Sequence, residues 1–170
     1  MALPRKLKNF NLFNDANSYL GQVPEFTLPK LTRQMESYRA GGMNGPVKID
    51  LGQGELEAEM TLGGIVRQVF EQYASTRVDG VLLRFAGAYQ EDTTGQVSAV
   101  EVVMRGRHEE IDLGNAKVGE SNDVKIKLTL SYFKLTIDAA PLVEIDMTNM
   151  VETVNGVDML AAQRAAVGLM

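Results

Sequence analysis

Few side chains in this sequence are suited to proton transfer, nucleophilic attack or metal binding. His108, the single histidine, stands among charges in RGRHEE. General-base or metal chemistry there needs an orienting partner, a nucleophile or further ligands, and the chain has no cysteine. The simpler reading is a strand residue that pairs with a glutamate or with solvent. Glu57 and Glu59 in LEAEMTL are two apart and share one face of a strand. Two carboxylates at a suitable separation can hydrolyse a glycosidic bond, but no aromatic-lined sugar cleft is indicated in a chain with no tryptophan and 6% aromatic residues. A solvated or pore-lining strand face accounts for the pair better. Glu109 and Glu110 are adjacent, so a regular strand sends them to opposite sides and they cannot act on one bond.

Other motifs of chemistry are missing from the sequence. It contains no GxxxxGK[ST], no GxGxxG after a strand, no HExxH and no EF-hand loop. The glycine-rich run SYRAGGMNGPVKIDLG, residues 37 to 52, is not a phosphate cradle, because strand-like residues follow it and no helix supplies an N-terminal dipole. Tyr132 and Phe133 are neighbours on a strand, face opposite ways and make no base-stacking platform. No catalytic, cofactor-binding or metal-ligating residue is assigned.

Composition narrows the remaining classes. At 170 residues the expectation is one domain that buries enough surface to fold without a staple. The 45% hydrophobic and 23% charged content is that of a soluble globular protein, no apolar run reaches membrane-helix length, and MALPRKLKNF lacks the apolar core of a signal peptide. Absence of cysteine fits assembly in a reducing cytoplasm. The net charge of -5 is uneven: residues 1 to 50 hold seven Lys/Arg against four Asp/Glu, and the rest hold ten against eighteen. An acidic body argues against a nucleic-acid grip, which rests on phosphate neutralisation. Arg5, Lys6 and Lys8 form the one basic cluster, either a solvated terminus or an arm that docks on an acidic neighbour.

Positioning elements follow from periodicity. In LEAEMTL the residues Leu56, Ala58, Met60 and Leu62 alternate with Glu57, Glu59 and Thr61, the pattern of a half-buried strand. SAVEVVMRG repeats it with Val100, Val102 and Met104. KIKLTLSYFKLTI places Ile126, Leu128, Leu130 and Tyr132 in phase, then jumps to Phe133, Leu135 and Ile137, which predicts a bulge or a change of covering partner. Turns are expected at Gly52 to Gly54 and at Glu91 to Gly95, with a longer loop from Gly114 to Asp123. Ile65, Val66, Val69, Phe70 and Tyr73 recur at helical spacing and predict an amphipathic helix at about 64–74. A shorter helix is expected after Asp158 as N-cap, with Gly168 available to end it. The expected fold is mainly β, an antiparallel sandwich or barrel with one flanking helix.

The run from residue 37 to 52 has more turn residues than a tight hairpin needs, since an Asn-Gly pair suffices for a two-residue turn. Gly41, Gly42, Asn44, Gly45 and Pro46 surround an exposed-looking Met43. A loop that reaches beyond its own domain explains the surplus, and a mobile surface loop is the ordinary alternative.

Three collinear stretches carry a resemblance: LPRKLKNFNLFNDANSYLGQVPEFTLPKLTRQMESYRAGGMNGPVKIDLG, FAGAYQEDTTGQVSAVEVVMRGRHEEIDLGNAKVGE and VEIDMTNMVETVNGVDMLAAQR. Together they closely resemble the major tail tube protein of contractile-tailed bacteriophages and are similar to the tube proteins of R-type tailocins. TLPKLTR, YRAGGM, RGRHEEID and NGVDML are the most specific pieces.

The resemblance implies a sandwich-like subunit related to the rings of tail tubes and of type VI secretion, with a helix on its flank. Six copies form a ring, and rings stack into a tube around a tape measure protein and inside a contractile sheath. A baseplate initiator and a tail terminator bound the tube, which crosses the host envelope and conducts DNA without binding it specifically. Assembly is expected in the host cytoplasm, the finished protein in the virion tail, with no stable membrane binding and no bond chemistry. Under this reading an N-terminal arm (about 1–10) and a projecting loop (about 39–47) make inter-ring contacts through Arg5, Lys6, Lys8, Arg39, Gly41, Gly42, Met43, Asn44 and Pro46. Glu55, Glu57 and Glu59 line the lumen. A tailocin or type VI tube without genome cargo is the first alternative, and a small β-sandwich hydrolase or carbohydrate-binding domain the second.

Overall fold

The structure, a computed structural model, describes residues 1–169. Among them the chain forms, in order, β1 (Lys6–Asn14), β2 (Asn17–Ser18), β3 (Glu25–Thr27), β4 (Arg33–Tyr38), β5 (Val47–Gln53), β6 (Leu56–Leu62), helix α1 (Arg67–Glu71), β7 (Val81–Gln90), β8 (Val97–Asp112), β9 (Val124–Ile137), β10 (Ala140–Asp146), β11 (Val151–Val154), β12 (Val157–Asp158) and helix α2 (Ala161–Ala166).

Period-two alternation becomes a sheet with one buried face. Leu56, Ala58, Met60 and Leu62 of β6 are buried while Glu57 and Glu59 face water. Val102 and Met104 of β8 and Ile126 and Leu128 of β9 complete the inner face, with Leu83 and Phe85 of β7. Ten strands form one antiparallel sheet in the spatial order β12-β11-β10-β9-β8-β7-β1-β2, with β6 branching from β9 and β3 pairing β6. Four strand spacings separate β3 from β7, about 19 Å in a flat sheet. The rings of Phe26 on β3 and Phe85 on β7 nevertheless stack with centroids 5.9 Å apart. The sheet therefore rolls over itself and encloses the core, the sandwich-like architecture that alternation predicts.

The apolar phase jump in β9 has both of the causes anticipated for it. Leu130 pairs with Leu56 of β6, whereas Tyr132 pairs with Asp146 of β10. Across the other edge, Arg105 pairs Tyr132 but Gly106 pairs Leu130, so Ser131 is bulged. One extra residue turns the apolar positions to the opposite phase as the strand changes neighbour.

Both helices are shorter or start differently than expected. The span 64–74 reduces to Arg67–Glu71, with no side-chain cap at Val66 and a left-handed Ala74 (φ 60°) just beyond it. Five residues cannot sustain a helix alone, and burial of Val69 against the core holds it. Ile65 and Tyr73, read as apolar-face residues, are 72% and 57% exposed. A buried polar network secures the helix: Asn14 Nδ2 donates to Tyr19 Oη (2.9 Å) and to Gln72 Oε1 (2.6 Å), and Tyr19 Oη donates to Gln68 Oε1 (2.8 Å). Burial raises the Tyr19 pKa, while the Asn14 bond works against that rise. Leu160, not Asp158, is the N-cap of α2. The Asp158 carboxylate accepts the Leu160 N–H at 3.1 Å and pairs with Arg164, which lowers its pKa. Gly168 (φ 80°) closes α2 in a Schellman arrangement, with Leu169 N–H bonded to Arg164 O at 2.8 Å.

The arm expected over residues 1–10 is also shorter. From Lys6 onward the chain pairs with β7, so only residues 1–5 lie outside the sheet. That pairing joins segments more than seventy residues apart, which local alternation does not specify.

Candidate functional site

Surfaces, not a catalytic constellation, are what the fold presents. His108 does not face solvent or a glutamate. It is buried on the inner face of β8 beside Leu128 of β9, and neither ring nitrogen has a hydrogen-bond partner. Burial lowers its pKa, so the neutral ring is favoured. Glu109 and Glu110 do not lie on a regular strand, because the β8–β9 register shifts between His108 and Glu110. The Lys127 ammonium consequently lies 3.7 Å from Glu109, 3.5 Å from Glu57, and on the residue that pairs Glu110. Glu109 and then Glu57 raise its pKa. Glu55, Glu57 and Glu59 border one cleft of about 320 Å³ with Lys30. These carboxylates are exposed, and lysines are interleaved among them. Among the described residues no three His, Asp or Glu side chains stand close enough to hold a metal, and no helix is long and apolar enough to cross a membrane.

The second surface is the β4–β5 hairpin, whose strands pair with each other and with no other strand. Opposed residues of an antiparallel pair share a face. Glu36 opposes Ile49 and Tyr38 opposes Val47, with Leu51 in phase with Ile49. Tyr38, Val47, Ile49 and Leu51 are between 42% and 60% exposed. The result is one apolar face carrying a single charge, Glu36, and an opposite face with Met35, Ser37, Lys48 and Asp50. The VKIDL alternation contains this signal, although nothing local indicates that the face would remain uncovered.

The tip and root of the hairpin are ordered differently. At the tip Ala40 O accepts the Met43 N–H at 3.2 Å, and Gly42 takes φ 85°, a left-handed angle that suits glycine. Met43 is half-buried and folds back so that its sulfur meets the Ala40 N–H at 3.2 Å. It is less exposed than its sequence context suggests, because the turn takes up part of the side chain. Arg39, Gly41, Asn44 and Pro46 are exposed around it. At the root Arg33 pairs with Asp50 at 2.8 Å and with Glu152 of β11. Those two carboxylates, Glu152 foremost, raise the Arg33 pKa, and Arg33 with the Gly52 N–H lowers that of Asp50. Sequence spacing had not joined residues 33 and 152.

Unfinished strand edges form the third surface. β7 pairs β8 only as far as Gly106, so Arg107 to Asp112 have a sheet neighbour on one side alone. Lys6 to Asn11 of β1 likewise pair only β7 among the described strands. Of the basic cluster, Lys8 bonds Asp92 at 2.9 Å, while Arg5 and Lys6 are exposed and make no ion pair among the described residues. Such edges invite pairing with another chain.

Comparison with known proteins agrees with this inventory of uncovered surfaces. The chain is 53% identical to the tail tube protein of Escherichia phage P2 over 99% of its own length and 100% of that protein. It is 40% identical to the major tail tube protein of Serratia phage KSP20, over 89% and 88% of the two chains. Its fold is similar to a chain of the PVC extracellular contractile injection system sheath/tube terminator, with TM-score 0.60, 10% identity and coverage of 79% and 97%. A chain of the PVC sheath-tube complex in the extended state gives TM-score 0.58 at 8% identity, covering 78% and 91%. Residues 4–168 match the model of the family described as phage tail tube protein FII. An all-antiparallel rolled sheet with a free hairpin, unfinished edges and this degree of identity places the chain in the phage tail tube protein FII family, the structural subunits of the tail tube.

Proposed function

We propose that copies of this chain close into hexameric rings that stack into the hollow tube of a contractile phage tail, and that the protein performs no bond chemistry. The single observation that carries this reading is the β4–β5 hairpin, which pairs with no other strand and leaves four large apolar residues 42–60% exposed along one face. A monomer gains nothing from such an element, whereas a neighbouring copy removes the area from water. Free edges along β1 and β8 support lateral closure, because a cyclic ring can pair every edge.

In the stacked tube, Arg5, Lys6, Arg39, Gly41, Gly42, Asn44 and Pro46 lie at ring-to-ring contacts, with Met43 shaping the turn and Lys8 positioned through Asp92. Glu55, Glu57 and Glu59 face the lumen, where carboxylates tempered by Lys127 repel phosphates without gripping them. The tape measure protein fills the lumen during assembly, the sheath covers the outside, and initiator and terminator complexes bound the length. Assembly takes place in the host cytoplasm, and the genome passes through the tube on ejection. Identity with the P2 protein supports phage cargo over the effector or cargo-free tubes of related systems. Electron microscopy of concentrated purified protein, with and without its initiator, tests the reading. Hollow cylinders with six-fold end views are expected, and a permanently monomeric species under both conditions refutes it.

A further inference from the structure

The rolled sheet leaves part of its inner face uncovered. Where β6 and β3 end, the apolar positions of β8 and β9 continue into a groove of about 410 Å³ lined by Leu28, Leu31, Val100, Phe133, Leu135 and Ile137 among others. Arg5 is the one charged residue lining it, and it has no ion-pair partner among the described residues. Ser98 also lines the groove, buried, with a hydroxyl that finds no hydrogen-bond partner. Buried hydroxyls are ordinarily bonded, so the groove is incomplete in polar as well as apolar terms.

We infer that this groove receives the apolar face of the β4–β5 hairpin from a second copy of the chain. The inference rests on the tube reading above and names the surface into which the hairpin docks. Three features match. The hairpin offers Tyr38, Val47, Ile49 and Leu51 as an exposed apolar strip, and the groove is lined by apolar side chains. The strip carries one charge, Glu36, which also has no ion-pair partner among the described residues, and the groove carries Arg5. The Tyr38 hydroxyl supplies a polar group of the kind the Ser98 hydroxyl lacks.

A reciprocal exchange between two copies would stop at dimers, whereas docking of each hairpin on a further copy continues head to tail. Groove and hairpin are different surfaces of one chain, the heterologous arrangement that yields rings or open helical stacks. Leu31 belongs to the groove and Arg33 begins β4, so a single residue, Thr32, separates acceptor from donor. Thr32 O accepts the Gly54 N–H at 2.6 Å and Gln53 Nε2 at 3.1 Å, which fixes that junction. Groove and hairpin are thus held in a fixed relation within each copy.

The cysteine-free chain permits a clean cross-linking test. A Leu31→Cys/Ile49→Cys variant, assembled and then oxidised, is expected to run on a denaturing gel as a ladder extending beyond dimers. Each single variant is expected to give no ladder, because its one thiol meets no second thiol across the proposed contact. Cylinders that yield no ladder overturn the groove assignment while leaving the tube reading standing, whereas wild-type protein that never forms cylinders overturns both. A charge exchange covers poor assembly of the cysteine variant. Glu36→Arg and Arg5→Glu are each expected to raise the critical concentration for assembly roughly tenfold or more, and the double exchange to restore it to within about threefold. Failure of the double exchange to rescue overturns the inference.

Discussion

Replacing Gly106 by alanine tests the account of the fold at its most constrained point. Gly106 sits where the β8–β9 register shifts and β9 passes from β6 to β10. A Cβ there would lie 2.0 Å from Thr129 O and 2.9 Å from Leu130 Cα, both backbone atoms that no rotamer change can move. The two strands must separate by about 1 Å or more, with loss of ladder hydrogen bonds on either side. Overpacking against mobile side chains costs roughly 1–3 kcal/mol, so a clash with backbone belongs at the top of that range or above. At ~2–4 °C per kcal/mol for a chain of this size, Gly106→Ala is expected to lower the Tm by at least about 6–12 °C. Gly41→Ala is the control, because no atom lies within 4 Å of its added Cβ and its φ is not left-handed. Thermal unfolding followed by circular dichroism at low protein concentration separates subunit stability from assembly. A Gly106→Ala melt within about 2 °C of wild type would refute the close approach of β8 and β9 at the bulge.

On the hairpin, replacing both Ile49 and Leu51 by serine removes part of an apolar strip that only a second copy covers. From their 42% and 60% exposure and ~1.5–3 kcal/mol for full burial of each, about 1.5–3 kcal/mol of contact energy is lost. The critical concentration measured by sedimentation should rise roughly 10- to 150-fold beyond any change that the monomer Tm of the same variant accounts for. For His108, the native pKa lies below the ordinary ~6.5, so below that pH the unfolded chain binds a proton that the native chain does not. Stability should fall on acidification through that window, by at most ~1.4 kcal/mol per pH unit, and His108→Leu should flatten this part of the profile in urea titrations. Arg33→Ala removes the tie between the hairpin and Glu152 and should accelerate proteolytic cleavage within residues 34–53, leaving the sheet intact by mass spectrometry. Unchanged cleavage kinetics would mean that the hairpin root is held by other contacts.

Local alternation by itself determined which residues of β6, β8 and β9 face inward, because side-chain direction in a strand depends only on parity. Leu56 to Leu62 and Val102 with Met104 are buried as their spacing requires. The β9 bulge was legible for the same reason, since an extra residue leaves its mark as a phase jump. The jump falls at Ser131, however, and puts Tyr132 on the outer face with Arg105 and Glu144, not in phase with Leu130. Family membership was legible in the collinear agreement of TLPKLTR, YRAGGM, RGRHEEID and NGVDML. Tertiary structure alone decided which strands became neighbours: β1 beside β7, β6 beside β9, and β4 with β5 apart from the rest. It also decided that His108 is enclosed, that Met43 turns back on its own loop, and that Arg33 reaches Glu152. Parity is a property of adjacent residues, whereas pairing, enclosure and exposure depend on segments tens of residues away meeting in space, and no local pattern records which meeting has the lower free energy.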